Sequence, residues 1–417
     1  MWTVSTWNVV RHALPEDCCS RIVVTTEIND VAQAWSFYKS QHNASHVIKK
    51  HIFKMEPLND DFSRDLLVSR VFGDKDKCPE ELNEVSYEIA RKCGGLPLAT
   101  IAAASLLLSR PDKPDEWIYV QKSLIPDLRI QPTSEGMAQL LNNSFNNLPH
   151  HLKACMLYLS IYKEDHIINP DDLVKQWVAE DFVSATEGKS LDEAARNHFY
   201  ELVHRGILET EHISCSDEVV SCTVHDMVLN FIKRKAMEEN FVTAIDHSQS
   251  GIRLADKVRR LSLHFGYSKD AKAPACIRLS QLRSLVFSGF WKCGPSISEF
   301  HLLRVLFLHG KHGEVLDLTR IRELFLLTYL QIEGNVCIDL PSELQGLKYL
   351  RTLHIGAMVT FLRSEVVHLP PLLHFRLPPN LGYFVDAGSV QSIEELTNLQ
   401  DLQLACPQIA TSDHIKH

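Results

Sequence analysis

Residues 258–263 read VRRLSL, and the spacing of the apolar residues in this stretch decides the fold of the second half of the chain. Two variable residues separate Val258 from Leu261, and one separates Leu261 from Leu263. The central apolar residues of seven such stretches are 21 to 27 residues apart: Leu261, Leu285, Leu306, Leu330, Leu353, Phe375 and Leu402. Alternation of apolar and variable residues around each centre predicts a short strand in every stretch.

Repeats of about 20–29 residues with this pattern are typical of leucine-rich repeats. One repeat cannot bury its apolar face alone, so we expect residues 258–417 to stack into a solenoid. The concave surface of such a solenoid carries variable residues and binds partners more often than it performs chemistry. Basic and aromatic residues occupy several of these positions, and we expect them either to contact a partner or to be merely solvated. They are Arg259, Arg283, Arg304, Phe307, Tyr329 and Arg351.

The composition narrows the class of protein. A chain of 417 residues is long enough for two to four domains, and 45% hydrophobic with 23% charged residues is typical of an ordered soluble protein. The net charge of −9 disfavours nucleic acid and anionic membranes as main partners. The 11 cysteines are an odd number and include no CxxC pair, which indicates free thiols in a reducing compartment.

Neither a membrane span nor a metal site is predicted. The longest apolar stretch, Leu96 to Leu108, is too short to cross a bilayer and contains Pro97. No signal peptide opens the chain, so we expect a cytoplasmic protein without an integral membrane segment. Cys215, Cys222 and His225 lack a fourth zinc ligand at the usual spacing.

The first segment, residues 1–75, is predicted to be the C-terminal part of an α/β domain. The β-branched run RIVVTT at 21–26 and the stretch His51–Met55 are expected to be strands. Helices are expected after Asn29 and from Asn59 to Phe72, where acidic residues suit the helix N-terminus. Two strands make a poor sheet, so the segment looks like the back half of a larger α/β domain.

Two helical regions precede the repeats. Residues 76–159 are predicted to be a helical bundle that includes the apolar stretch 96–109. Residues 160–241 are predicted to be a winged-helix domain: a helix from Asn169 to Phe182, a helix opened by the capping box Ser190–Glu193, two strands at 207–213 and 219–224, and a last helix from His225. Residues 242–257 are expected to be a polar linker.

The charge of the first of these helices argues against DNA binding. It carries four carboxylates (Asp171, Asp172, Glu180 and Asp181) against Lys175, so DNA phosphate would be repelled. We expect this acidic helix instead to contact the basic positions of the repeats within the same chain, because their charges are opposite.

Five strings that occur in this order before the repeats carry a family resemblance. They are RIVVTT (21–26), CGGLPLA (93–99), LPHHLKACMLYLSIYKED (148–165), LVKQWVAEDFV (173–183) and VHDMVLNFI (224–232). Together they closely resemble plant intracellular immune receptors of the nucleotide-binding leucine-rich-repeat family, in the coiled-coil class. The resemblance covers essentially the whole chain. It implies a partial P-loop-type α/β segment, a helical bundle, a winged helix and a repeat solenoid.

The resemblance also implies a switch between bound ADP and bound ATP. By position, Pro97 would pack near the adenine, and Thr25 and Thr26 would lie near the γ-phosphate. His225 would touch the β-phosphate of ADP, with Asp226 positioning it. The repeats would recognise a pathogen effector or a guarded host protein.

The chain departs from the family pattern where polyphosphate would be held. No GxxxxGK[ST] motif occurs, and Gly188-Lys189-Ser190 has Val183 where the motif needs glycine. Glu27 replaces an arginine that faces the γ-phosphate in the family. The opening residues, Met1-Trp2-Thr3, resemble those just after the family's acidic pair. We therefore expect an N-terminally truncated fragment that binds adenine nucleotide weakly or not at all and performs no catalysis.

The sequence thus predicts a plant immune receptor that acts in defence through recognition. One alternative is an active switch ATPase of which only a truncated gene model is seen. The other is a leucine-rich-repeat scaffold without an immune role. Neither the recognised ligand nor the oligomeric state follows from the sequence.

Overall fold

The computed structural model divides the chain into two units, residues 1–58 and residues 59–417, and each is described by itself. The residues that the structure describes are 23, 25–26, 28–36, 52–124, 128, 134–185, 188–246, 258–266, 279–311, 314–340, 344, 346–362, 372–377 and 401–404. Glu27 and the opening residues 1–3 lie outside them.

The described part of the first unit contains one helix. Helix α1 spans Asn29–Ser36, as predicted, and the hydroxyl of Thr26 accepts a hydrogen bond from the backbone N–H of Ile28 just before it. The predicted strand at 21–26 lies largely outside the described residues. The second strand prediction is wrong for residues 52–55, which are irregular and exposed. A strand needs a hydrogen-bonded neighbour, and these residues have none in the described part of the chain.

The second unit opens with a run of helices. They are α2 (Asp60–Phe72), α3 (Asn83–Lys92), α4 (Pro97–Leu107), α5 (Pro114–Ser123), α6 (Ser134–Asn146) and α7 (His150–Tyr158). Helix α2 begins as predicted, because the Asn59 side chain accepts a hydrogen bond from the N–H of Phe62 at 2.8 Å, and ends at Gly73, whose φ is +77°.

The core of this helical region differs in two ways from expectation. Leu67 of α2 is fully buried in one core with residues of α3 and α4, so α2 packs with these helices, although it was expected in the α/β segment. Helix α5 was not predicted from the sequence. It begins at Pro114 and buries Trp117 completely, with the indole stacked 6.0 Å from the ring of Phe72.

The predicted winged-helix elements are present between residues 170 and 238. They are α8 (Pro170–Ala179), α9 (Leu191–His204), β1 (Glu209–Ile213), β2 (Val219–Thr223) and α10 (Asp226–Glu238), with β1 and β2 antiparallel. Asn169 caps α8 through the N–H groups of Asp171 and Asp172. Helix α8 ends at Ala179 rather than at Phe182, because Asp181 adopts the left-handed conformation with φ of +60°.

Parallel strands follow, in the order that the repeat pattern predicts. They are β3 (Thr243–Asp246), β4 (Arg260–His264), β5 (Ser284–Gly289), β6 (Val305–Gly310), β8 (Tyr329–Gly334), β10 (Thr352–Ile355), β12 (His374–Leu377) and β13 (Asp401–Leu404). In this repeat sheet the seven central apolar residues of the pattern stand in register. The linker prediction for 242–257 is wrong at residues 243–246, since β3 pairs with β4.

The two faces of the repeat sheet have different surroundings. Leu261 and its register partners bury one face in a core of their own, which is the face the repeat pattern encodes. A second, smaller parallel sheet comprises β7 (Val315–Leu316), β9 (Cys337–Leu340) and β11 (Met358–Leu362). Among the described residues, no helix is both long and apolar enough for a membrane crossing.

Candidate functional site

The residues that the resemblance assigns to nucleotide binding lie at helix starts and in irregular chain. Pro97 is the exposed first residue of α4. His225 caps α10, where its Nδ1 accepts a hydrogen bond from the N–H of Met227 at 3.2 Å, and Asp226 is exposed beside it. Thr25 and Thr26 belong to the other unit, where Thr25 is exposed and Thr26 is half-buried. In the described part of the chain, no hydrogen bond joins Pro97 to His225 or Asp226.

The Gly188-Lys189-Ser190 stretch does not offer a phosphate cradle. A phosphate cradle needs consecutive free backbone N–H groups at a helix start and a lysine beside them. At the glycine-lysine-serine stretch, the Ser190 side chain accepts the N–H of Glu193, and the Glu193 carboxylate accepts the N–H of Ser190 at 2.8 Å. These donors therefore cap α9 and are not free for a ligand, and the nucleotide roles stay predictions.

The best-built polar site instead lies where the winged helix meets the repeat sheet. We define the contact face of the repeat sheet as the strand residues that alternate with the core leucines. They include Arg260, Ser262, Ser284, Val286, Val305, Phe307, Tyr329, Gln331, Glu333, Thr352, His354, His374 and Arg376. Val305 and Tyr329 form a buried cluster with Ala179, the last residue of α8. The contact face is therefore covered, in part, by the winged helix of the same chain.

This packing determines the environment of two residues that the sequence predicted to be either solvated or in contact with a partner. Phe307 is 3% exposed and Tyr329 is fully buried, and Phe307 joins the core of the helical region. Neither is therefore solvated or open to an outside protein while the winged helix is in place. Arg259 and Arg351 are exposed, because they precede the strands rather than alternate within them.

A buried ion pair forms the centre of the contact. Glu180, directly after α8, is 2% exposed and accepts hydrogen bonds from Arg260 Nε at 2.9 Å and Nη2 at 2.7 Å. The Ser284 hydroxyl donates to the other oxygen of the same carboxylate. The Arg260 guanidinium also lies over the rings of Phe182 and Phe241, 4.8 Å and 4.2 Å from their centroids. Charge-assisted bonds and cation–π contacts thus satisfy both buried charges.

A second polar group extends the contact along α8. The side-chain oxygen of Gln176 accepts hydrogen bonds from the hydroxyls of Tyr158 and Tyr162, at 3.2 Å and 2.8 Å. Its amide nitrogen donates to Tyr329 and Gln331 of the contact face, at 3.4 Å and 3.3 Å. Burial raises the pKa values of Tyr162 and Tyr329 well above the usual range of tyrosine, so both hydroxyls stay protonated and can donate hydrogen bonds. Gln176 is therefore a fully bonded link between the helix and the sheet.

Ion pairs at the edge of the contact repeat the same arrangement of acid on the winged helix and base on the sheet. Arg304 pairs with Asp181, and His374 Nε2 lies 3.1 Å from Asp192. The hydrogen bond with His374 is the main cause that lowers the pKa of Asp192. A cleft of about 180 Å³ opens beside this pair and is lined by Lys175 and Arg351 among others.

Sequence reasoning found the sign of this contact but missed its central residues. It singled out Arg259, whereas the arginine that binds the winged helix is Arg260. The available signal was the strand period: in VRRLSL, residues 260 and 262 must face away from Leu261 and Leu263. Ser262 is indeed on that side, where its hydroxyl donates to the carbonyl of Ile161 at 2.7 Å.

Two family models match the chain. One is described as "Disease resistance protein Winged helix domain" and covers residues 161–232, and the other as "Leucine-rich repeat region" and covers residues 281–417. The winged-helix side of the contact lies within the first match. The repeat strands lie within the second match from β5 onward, and β4 precedes it.

Curated relatives match nearly the whole chain. It is 42% identical to Disease resistance protein RGA5 of Oryza sativa subsp. japonica over 97% of its length, and 32% identical to Disease resistance protein Pik-2 of the same organism over 89% of its length. The chain spans 38% and 36% of those two proteins. A solved structure of internalin C2 from Listeria monocytogenes is 16% identical, and the match covers 36% of this chain and 71% of that chain with a TM-score of 0.26.

Proposed function

We propose that the chain, which belongs to the plant nucleotide-binding, leucine-rich-repeat disease resistance proteins, is the recognition and regulation part of an immune receptor. Its repeats, arranged as a solenoid, recognise a pathogen effector or a guarded host protein. Its output is signalling in defence rather than catalysis, and its site of action is the cytoplasm. The similarity to named disease resistance proteins over nearly the whole chain supports this proposal.

One observation carries the regulatory half of the proposal. The winged helix occupies the contact face of the repeat sheet through the buried Glu180–Arg260 pair. A partner that uses this face must displace the winged helix, and a partner that binds elsewhere leaves it in place. Recognition through this face is therefore coupled to release of the winged helix, because the partner and the winged helix compete for one set of side chains.

A relation to nucleotide binding is proposed only because of the family to which the chain belongs. The α/β segment at residues 1–75 is proposed to be the end of a P-loop-type domain, and Thr25, Thr26, Pro97, His225 and Asp226 are proposed to descend from a nucleotide site. The His225 imidazole caps its own helix and the donors at Ser190 are paired, so the 417-residue chain is proposed not to clamp ADP by itself.

Disruption of the native gene tests the immune role. We expect loss of resistance to at least one pathogen isolate in the edited plants, compared with unedited siblings. Unchanged resistance to a broad panel of isolates, together with a defect in another process, would favour the alternative of a repeat scaffold without an immune role.

Edited alleles test the regulatory role separately. Arg260→Met in the native gene is expected to cause defence without infection, seen as spontaneous lesions, because the winged helix loses its buried partner. Arg259→Met is the matched control, since Arg259 is the exposed neighbour. Equal behaviour of the two alleles would contradict the regulatory role.

An upstream GxxxxGK[ST] in the full transcript would favour the active switch ATPase.

A further inference from the structure

Three potential metal ligands meet where α8 crosses the repeat sheet. Asp172 lies in the first turn of α8, Glu333 in β8 and His354 in β10. One ligand atom from each side chain lies within 4.8 Å of the other two. Strand register explains the meeting, because His354 pairs with Gln331, two residues before Glu333 on the same face of β8. The winged helix thus contributes one ligand and the repeats contribute two.

The histidine of this cluster is buried, and one of its ring nitrogens, Nδ1, makes no hydrogen bond. His354 is 7% exposed, and its Nδ1 makes no hydrogen bond of acceptable geometry. The same atom lies 3.3 Å from a carboxylate oxygen of Asp172, so it faces the cluster. Its contact with Asp172 is an ion pair only if the imidazole is protonated, and coordination of a cation between the two groups is another way to satisfy this buried nitrogen.

The charges around the cluster favour a cation. Two carboxylates, those of Asp172 and Glu333, lie close together in the cluster. The guanidinium of Arg376 offsets only part of their negative charge, since its Nη1 is 3.7 Å from Asp172. The side-chain nitrogen of Gln331 donates to Glu333 at 2.6 Å and to Asp172 at 3.5 Å, so it would move aside when an ion binds between the two carboxylates. His309 Nδ1 is 3.9 Å from Glu333 and offers a further nitrogen at the rim.

We propose that Asp172, Glu333 and His354 bind one divalent transition-metal cation, for which Zn²⁺ is the best match, and that this ion ties the winged helix to the repeats. One imidazole with two carboxylates is a donor set that Zn²⁺ accepts, with water or His309 in the fourth position. Mg²⁺ and Ca²⁺ prefer oxygen ligands alone, so the imidazole disfavours them. Metal–ligand distances of about 2.0–2.2 Å require the three side chains to close slightly around the ion. The proposal does not depend on an immune role.

Metal binding by the purified 417-residue chain tests the proposal. After removal of metals with a chelator, calorimetry with Zn²⁺ and elemental analysis are expected to give one tightly held ion per chain. Asp172→Asn, Glu333→Gln and His354→Gln should each weaken that binding at least tenfold. His204→Ala is the control, since His204 is an exposed histidine of the same winged helix, and should leave the affinity unchanged.

Two further measurements separate a built site from loss of folding. Arg376→Gln removes the competing guanidinium and is expected to tighten Zn²⁺ binding several-fold, a gain that no misfolded variant would show. Co²⁺ in place of Zn²⁺ should give the visible absorption of a tetrahedral site in the wild type and lose it in Glu333→Gln. Absence of a tight ion in the wild type, or equal affinity of the wild type, Glu333→Gln and His354→Gln, overturns the proposal.

Discussion

Replacement of Arg260 by methionine is the most direct test of how the winged helix is held on the repeat sheet. Glu180 would keep its buried position with no cation near it, since its carboxylate is 2% exposed and both Arg260 nitrogens that reach it would be gone. Removal of one partner from a buried pair costs roughly 3–5 kcal/mol, because the remaining charge is uncompensated. The lost cation–π contacts with Phe182 and Phe241 add to this cost.

Amide hydrogen exchange is the suitable assay, because the cost falls on local opening of the contact rather than on the whole chain. A free-energy change of about 1.4 kcal/mol is a tenfold change in an equilibrium constant. We therefore expect exchange in α8 and β4 to become faster by roughly a hundredfold to a few thousandfold in Arg260→Met. Exchange in α4, which lies in the helical region, should change much less.

Two matched variants make this test decisive. Arg259→Met changes an exposed arginine next in sequence and should leave exchange in α8 unchanged. Addition of Glu180→Gln to Arg260→Met should recover part of the loss, because the amide is uncharged and still accepts the hydrogen bond from Ser284. Less than threefold faster exchange in Arg260→Met, or further acceleration in the double variant, would refute the role assigned to the pair.

Two other outcomes follow from the same geometry. Calorimetry of the purified chain with ADP is expected to show no sub-micromolar binding, because the backbone donors at Ser190 and Glu193 and the Nδ1 atom of His225 are already paired. A sub-micromolar affinity would contradict this prediction. The hydrogen bond with His374 is the main cause that lowers the pKa of Asp192 in the folded state. Ionised Asp192 therefore stabilises the folded protein fully at pH values above its usual pKa of about 3.9, and this stabilisation is lost as the pH falls through the lowered folded-state pKa. A carboxyl titration by NMR should return the pKa of Asp192 to the usual range in His374→Phe, and no change would show that His374 is not the cause.

The repeat strands could be predicted because one physical rule sets them. Apolar residues at period two must lie on one face of a strand, and a spacing of 21 to 27 residues brings successive strands into register. Helix starts were equally predictable where the capping side chain is local, as at Asn59, Asn169 and Ser190.

Other features depended on contacts far apart in sequence and were therefore missed. Strand β3 lies in a polar stretch and exists because β4 provides its hydrogen-bonding partner. Helix α8 stops before Phe182, where Asp181 adopts the left-handed conformation and Glu180 pairs with Arg260, 80 residues away. The cluster of Asp172, Glu333 and His354 joins three elements, so no local motif spacing could have predicted it.

The mixture of interactions at the contact explains how it can be both specific and reversible. Ala179, Val305 and Tyr329 form its compact apolar cluster, whereas the surrounding bonds join polar and charged groups. Buried polar groups are costly unless every partner is in place, so a shift of α8 along the sheet would leave Glu180 or Gln176 unpaired. On release, water can solvate the polar groups, whereas Val286, Val305 and Phe307 lose their apolar cover. A partner that replaces the winged helix must therefore cover these apolar side chains as well as supply an acid to Arg260.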